Sequence, residues 1–300
     1  VTGPPEAWKQ TTSLLSQHQT FEKTYEKRHQ LVWVGASDGM LHAFDMIDGA
    51  EILAIIPPEL LAKQVELYNN YKANPSKSPM GQPMDPDLHI YGVANSPRFA
   101  DVYFGTDGFK TVMYITEGPG GTGIHALDIS HPYPGRTGVV APDGLTYNFP
   151  ADPNYDPDKP FEPLWGYTRD GAAYTATFST NDDNNMRFGW AVPAVGMDDS
   201  GTFHLVLGQG YDPNRTDVSI PAPRLYRLNA ATGQLLRTDT LLNQSSAWVR
   251  NHSFADNTIW QTNAKFYQPD NFVDEGLQGD LHGQLWRLPK SSSWVAERLL

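Results

Sequence analysis

Two stretches of this chain carry glycine spacings that serve catalysis or cofactor binding in other proteins. In "LVWVGASDGMLHAFDMIDGAE", Gly35, Ser37 and Gly39 spell G-x-S-x-G. That turn presents a nucleophilic serine when a strand leads into it and a helix leads out. Gly118-Pro119-Gly120-Gly121-Thr122-Gly123 spells G-x-G-x-x-G after an apolar run. The dinucleotide version of that pattern needs a helix whose first turn holds pyrophosphate and an acid about twenty residues on, where Asp143 stands. Neither stretch is followed by a helical pattern. After Gly39 comes "MLHAFDMIDG", a short β-type run closed by Asp48-Gly49, and after Gly123 comes "IHALDIS" and then His131-Pro132. Both read as strands, so Ser37 is expected to be a turn residue and Gly118–Gly123 a glycine-rich corner.

The metal-binding residue types give weaker patterns. There is no cysteine, which removes disulfides, thiolate zinc sites and cysteine nucleophiles together. His42 and His125 hold equivalent places in a repeat described below, which invites a metal reading. No H-x-H or H-x-x-x-H pair accompanies them, so packing is the expectation. Trp33, Trp165, Trp190 and Trp286 are expected in the core between repeats, because each indole has a large area to bury. Calcium wants six to eight oxygens on a bent loop. "DPNYDPD" (Asp152 to Asp158) has alternating acids but stiffening prolines. "NDDNN" (Asn181 to Asn185) and "MDDSG" (Met197 to Gly201) read as turns. "QPDNFVDE" supplies Gln268, Asp270, Asn271, Asp274 and Glu275. On residues alone each of these is a solvated turn. The net charge of −12 repels a phosphate backbone and excludes nucleic acid as a general partner, while it suits divalent cations.

The elements that must position these residues are mostly strands. "SLLSQHQTFEKTYEKRHQ" is helical, with Leu14, His18, Phe21 and Tyr25 at spacings of three and four. "PPELLAKQVELYNNYKANP" is a second helix, opened by prolines and Glu59, with Leu61, Val65 and Tyr68 along one face. The proline-rich stretch from His131 to Trp165 is a surface insertion. Elsewhere a repeat recurs. Leu41-His42-Ala43-Phe44-Asp45, Ile124-His125-Ala126-Leu127-Asp128, Leu225-Tyr226-Arg227-Leu228-Asn229 and Leu285-Trp286-Arg287-Leu288 each follow a β-type run and a glycine-bearing turn. A strand–turn–strand unit cannot bury both faces alone and must stack on its neighbours.

The fold class expected is therefore all-β: a modified β-propeller with quinoprotein-like blades and long loop and helical insertions. Residues 1–30 form a helical lead-in packed on the propeller. Residues 31–300 form the propeller, with insertions near 57–95 and 131–165. The chain begins at Val1 without a signal-peptide pattern and contains no apolar run long enough to span a bilayer. It reads as a piece of a longer, processed protein, in which residues beyond 300 could complete the ring.

Four blocks then resemble one family. "VWVGASDGMLHAFDMIDGAEILAIIPPELL" is similar to the "VGANDGMLHAFD" blade and following "P-x-x-L-L" helix of the C-terminal propeller in PilC/PilY-type type IV pilus tip proteins. "DVYFGTDGFKTVMYITEGPGGTGIHALDIS" resembles that family's "DVYF…WKTVLVGGLGAGGxGxFALDVT". "FGWAVPAVG" and "LQGDLHGQLWRL" resemble its "SWSTPVVG" and "YAGDLQGNLWKFDL" blocks. The resemblance implies a secreted, non-enzymatic protein at the cell surface and pilus tip, associated with the outer membrane. It would work with minor pilins and the type IV pilus machinery in assembly and anti-retraction, and adhere to host or abiotic surfaces. It also implies a calcium loop just before the last block, whose positions fall on Phe266, Gln268, Asp270, Asn271 and Asp274. Gln268, Asp270 and Asp274 keep oxygen donors there, whereas Phe266 replaces an acid and Asn271 a glycine. Two other classes share parts of the pattern. A quinone-cofactor dehydrogenase has similar blades, and a carbohydrate-binding propeller would use the aromatic content.

Overall fold

The computed structural model describes residues 1–5, 13–74, 89–133, 135–150, 152–168, 171–172, 189–211, 224–240, 258–260, 275–279, 285–289 and 297–298. Among them lie four antiparallel meanders. β1 (Leu31–Gly35), β2 (Leu41–Asp45) and β3 (Glu51–Ile55) form the first sheet, and an antiparallel bridge from Thr2 to Leu31 lays the early chain beside β1. The second sheet runs β4 (Arg98–Tyr103), β5 (Phe109–Thr116), β6 (Ile124–Asp128), β9 (Glu162–Thr168), β10 (Gly171–Ala172). Between its third and fourth strands, β7 (Arg136–Val140) and β8 (Thr146–Phe149) pair as a separate hairpin. The third sheet is β11 (Ala194–Met197), β12 (Phe203–Gly208), β13 (Arg224–Asn229) and β14 (Leu235–Thr240). The fourth is β15 (Thr258–Trp260), β16 (Glu275–Gly279), β17 (Leu285–Pro289) and β18 (Glu297–Arg298). Antiparallel meanders of three to five strands, close to the four of a standard blade, fit the blades of a propeller.

The sequence repeat maps onto one blade position. With the Thr2 bridge taken as the first strand of the first blade, β2, β6, β13 and β17 are all third strands. The fifth repeat residue has a mechanical role in three of them. Asp45, Asp128 and Asn229 each accept, through Oδ1, the backbone N–H of the residue two places on, at 2.8–2.9 Å. These Asx turns close the strand and reverse the chain. In the first and third blades the reversal continues through Gly49 and Gly233, at φ 73° and 71°, a region that favours glycine. The register of the outermost pairing also shifts between the third and fourth repeat residues in three blades, at Ala43/Phe44, Ala126/Leu127 and Arg227/Leu228. A bulge there increases the twist of the outer strand.

Alternation along β5 divides its side chains between two cores. Met113 and Ile115 pack with Leu31, Trp33, Leu41 and Ala43 of the first blade. Val112 and Tyr114 pack with Phe203, Leu205, Leu207 and Tyr226 of the third. A strand with both faces covered reads as a continuous apolar run, which is why "TVMYIT" lacks polar alternation.

Among the described residues two α-helices decorate the blades. α1 (Leu15–Thr24) buries His18 and Phe21, the former edge-on to Phe109. A short 3-10 turn, Pro58–Leu60, leads into α2 (Leu61–Ala73). The apolar face read from sequence points outward on α2, with Leu61, Val65 and Tyr68 each more than half exposed. The docked face is Leu60, Lys63, Gln64 and Leu67: Leu60 and Leu67 are buried, and Lys63 donates to the Gly120 carbonyl. Two residues of that face are polar because it lies on glycine-rich backbone, whose carbonyls need donors more than apolar contact.

Trp33, Trp165 and Trp286 are buried as expected, but Trp190 is 49% exposed and does not join the core. Its neighbours Gly189 and Ala191 are the ones turned inward, so the chain crosses the blade top with the indole outside. The insertion after His131 carries the β7–β8 hairpin, and Trp165 already belongs to β9.

Candidate functional site

The serine motif is a turn. β1 ends at Gly35 and β2 begins at Leu41, with no helix between them and β3 following. The Gly118–Gly123 motif makes one 3-10 turn, Gly118–Gly120, and enters β6. A site does form around it, however, from residues outside the motif.

β5 carries the chain to Glu117, immediately after its last residue, and β6 returns with His125 as its second. The Pro58–Leu60 turn brings Glu59 over the same spot from the first blade. His125 Nε2 lies 2.6 Å from Glu59 Oε1 and 3.3 Å from Glu117 Oε1. Glu117 Oε2 accepts the Gly123 N–H at 2.9 Å. His125 and Glu117 are buried; the Glu59 side chain is 25% exposed, but its two oxygens are closed to solvent. One ligand atom from each residue falls within 4.8 Å of the others. Glycine leaves room for them. A Cβ on Gly123 would lie 2.5–2.8 Å from Glu59 Oε1, His125 Nε2 and Glu117 Oε1, and one on Gly121 would fall on Glu117 Oε2.

The electrostatics follow from this packing. Burial works against the His125 cation, but hydrogen bonds and charge from Glu117 and Glu59 push its pKa up to about 9. Burial and the neighbouring Glu59 carboxylate raise Glu117, against the pull of His125. Glu59 also meets a burial penalty, yet its contacts with His125 and Glu117 hold it below the usual carboxylate range. A protonated His125 is thus favoured beside the two acids that meet at its Nε2.

The equivalent histidine of the first blade is arranged differently. His42 Nδ1 contacts Glu51 at 2.6 Å and Nε2 contacts Asp38 at 2.9 Å, so its carboxylates sit on opposite sides of the ring. Desolvation lowers its pKa less than those two partners raise it. At His125 both carboxylates converge on one nitrogen. The histidines expected as packing are thus both ion-paired, and Glu59 and Glu117 are functional candidates that sequence reading missed. They lie 66 and 8 residues from His125, and no short-spacing motif links them.

The remaining acidic candidates are structural where they can be seen. Asp152 and Asp156 cap their own turns, accepting the N–H of Asn154 and Asp158. Asp143 caps the tip between β7 and β8, accepting the Leu145 N–H. Asp198 accepts from Ser200 and Thr202 and contacts His204 at 2.7 Å. Asn181 to Asn185, and the calcium positions Gln268, Asp270 and Asp274 with Phe266 and Asn271, lie outside the described residues. A separate buried hub surrounds Asp45: His29 at 2.8 Å, Arg136 at 2.8 Å and Tyr133 at 3.2 Å fasten the β7 hairpin to the first blade.

Stacked meanders joined through inter-blade cores, with third-strand repeats closed by Asx turns, define a modified β-propeller. A family model described as the PilY1 beta-propeller domain matches residues 9–148. A type IV pilus biogenesis factor PilY1 of Pseudomonas aeruginosa is 33% identical over 273 residues, covering 90% of this chain and 18% of its own length. The PilY1 homolog of Xylella fastidiosa is 26% identical over 279 residues, covering 93% and 17%. The crystal structure of the Pseudomonas aeruginosa PilY1 C-terminal domain superposes with a TM-score of 0.59 at 22% identity, over 98% of this chain and 48% of that one. Together these matches support a PilY1-type C-terminal propeller. The chain spans less than a fifth of the length of these curated relatives.

Proposed function

We propose that this propeller acts without catalysis in a type IV pilus-tip protein, supporting pilus assembly and countering retraction. Its partners are minor pilins and the pilus machinery, and its exposed end adheres to a host or abiotic surface. It works outside the cell, at the pilus tip and the outer membrane. The observation that carries this reading is kinship over nine-tenths of the chain with proteins named as type IV pilus biogenesis factors. The fold is compatible with it, since a propeller presents loops on rigid blades. Among the described residues no helix is long and apolar enough to cross a membrane.

Calcium tunes this role in our reading, through Gln268, Asp270 and Asp274. Those three supply two carboxylates and one amide oxygen of the six to eight oxygens calcium takes, so backbone carbonyls and water must complete the shell and binding is weak. Deleting this propeller from the full-length protein should abolish surface pili, and antibodies to it should mark filament ends in the parent strain. Normal piliation after deletion, or no label at the surface, would refute the proposal.

A further inference from the structure

We propose that Glu59, Glu117 and His125 form a binding site for one divalent transition-metal ion, zinc in type, which fastens the start of α2 to the glycine corner of the second blade. The inference stands apart from the pilus reading and from the calcium positions.

Convergence is the first argument. Both carboxylates aim at the same nitrogen of His125, and three potential ligand atoms share a space of 4.8 Å. An imidazole with two carboxylates is a donor set for zinc and its neighbours, whereas calcium prefers oxygen alone. His42, between carboxylates on opposite sides of its ring, offers no such point and serves as an internal control.

The second argument is the state of Glu59. Both its oxygens are shut from solvent, and neither meets a well-aligned hydrogen-bond donor despite the 2.6 Å approach to His125. A buried carboxylate is costly unless a cation or donors compensate it. A metal ion bonds Glu59 and Glu117 together and takes the place of the proton on His125 Nε2, which leaves to solvent. Glu117 Oε2 keeps the Gly123 N–H, the type of outer contact that orients a carboxylate ligand.

The test uses the 300-residue chain with zinc chloride, followed by dialysis and metal analysis, and with cobalt(II) as an optical probe. The wild type should retain one zinc per chain and give visible cobalt absorption. Glu59→Gln and His125→Phe should each weaken retention by at least about tenfold, with far-UV circular dichroism unchanged for Glu59→Gln. Asp270→Ala with Asp274→Ala should leave zinc retention unaltered. No zinc in the wild type, equal retention in folded Glu59→Gln, or ready displacement by calcium would overturn the assignment.

Discussion

Within the junction between the second and third blades, one backbone oxygen accepts two buried donors and yields a sharp prediction. The Ala230 carbonyl, in the turn after β13, accepts Tyr114 Oη–H at 2.9 Å and Trp165 Nε1–H at 3.0 Å. All three residues are buried. Tyr114→Phe deletes one donor and little volume, and the oxygen keeps the other, so the loss is about 1 kcal/mol. Trp165→Phe deletes the second donor and opens a space beside Gly233, on which the indole lies. That combination costs about 2–3 kcal/mol, in the range of large-to-small core changes. The double variant leaves the buried carbonyl with no donor, which adds a desolvation penalty of about 1–3 kcal/mol absent from either single variant. Its destabilisation should therefore exceed the sum of the singles by about 1 kcal/mol or more. Urea unfolding of the four proteins, followed by far-UV circular dichroism to avoid losing a fluorophore, measures the coupling. Additivity within about 0.5 kcal/mol would refute the shared-acceptor argument.

Further outcomes follow from other parts of the molecule. Gly120→Ala would place a methyl group on the Gly92 carbonyl oxygen, backbone against backbone, so the variant should be insoluble or melt well below the wild type. Asp45 meets a burial penalty, but its hydrogen bonds from the Ile47 N–H, His29 and Tyr133 lower its pKa below 3.8. A depressed folded pKa stabilises above the unfolded value and is lost as pH falls through the folded one. The gap in melting temperature between wild type and Asp45→Asn should thus be full at neutral pH and shrink below pH 3.8; a constant gap would count against the hub. On α2, Leu67→Ala should cost about 2–4 kcal/mol, whereas Val65→Ser should stay within about 0.5 kcal/mol; the reverse order in thermal melts would mean that the helix docks by its other face. Asp270→Ala with Asp274→Ala should abolish calcium heats in titration calorimetry, and identical isotherms for wild type and double variant would remove that site.

Much of the architecture was legible because the repeat is written in local chemistry. An aliphatic–aromatic pair opens the third strand, and an Asp or Asn closes it by binding its own backbone, so Asp45, Asp128 and Asn229 announce strand ends. The intervals of 83 and 101 residues between the first three copies hold α2 and the β7–β8 hairpin respectively, which sequence could register only as insertion. The bulges were not readable, since the third repeat residue is Ala, Ala or Arg. Nor was the docking face of α2, because hydrophobic periodicity assumes a side-chain partner and this helix meets carbonyls. Trp190 shows the same weakness from the other side: a large indole need not be inside when its small neighbours fill the contact. The site at His125 depends on a crossing between blades, so no spacing rule could have joined Glu59 to Glu117.

That crossing also explains why this chain imitates cofactor fingerprints. A dinucleotide loop is rich in glycine because a phosphate must approach backbone closely. Here the approaching group is protein. The Val93 N–H binds the Gly39 carbonyl at 3.0 Å, the Gly92 carbonyl presses on Gly120, and Glu59, Glu117 and His125 occupy the space that side chains at positions 121 and 123 would need. The backbone at Gly39, Gly92 and Gly120 thus meets with no side-chain layer between. Such a junction leaves carbonyl groups in want of donors, which Lys63 supplies from α2. It also leaves a small volume in which two carboxylates and an imidazole are held together. Glycines at the corner and charge inside it are two results of one close packing, so changing either should disturb the other. Gly123→Ala should weaken zinc retention as surely as the loss of His125. Retention unchanged in a folded Gly123→Ala chain would separate the two and leave the glycines with only a turn to make.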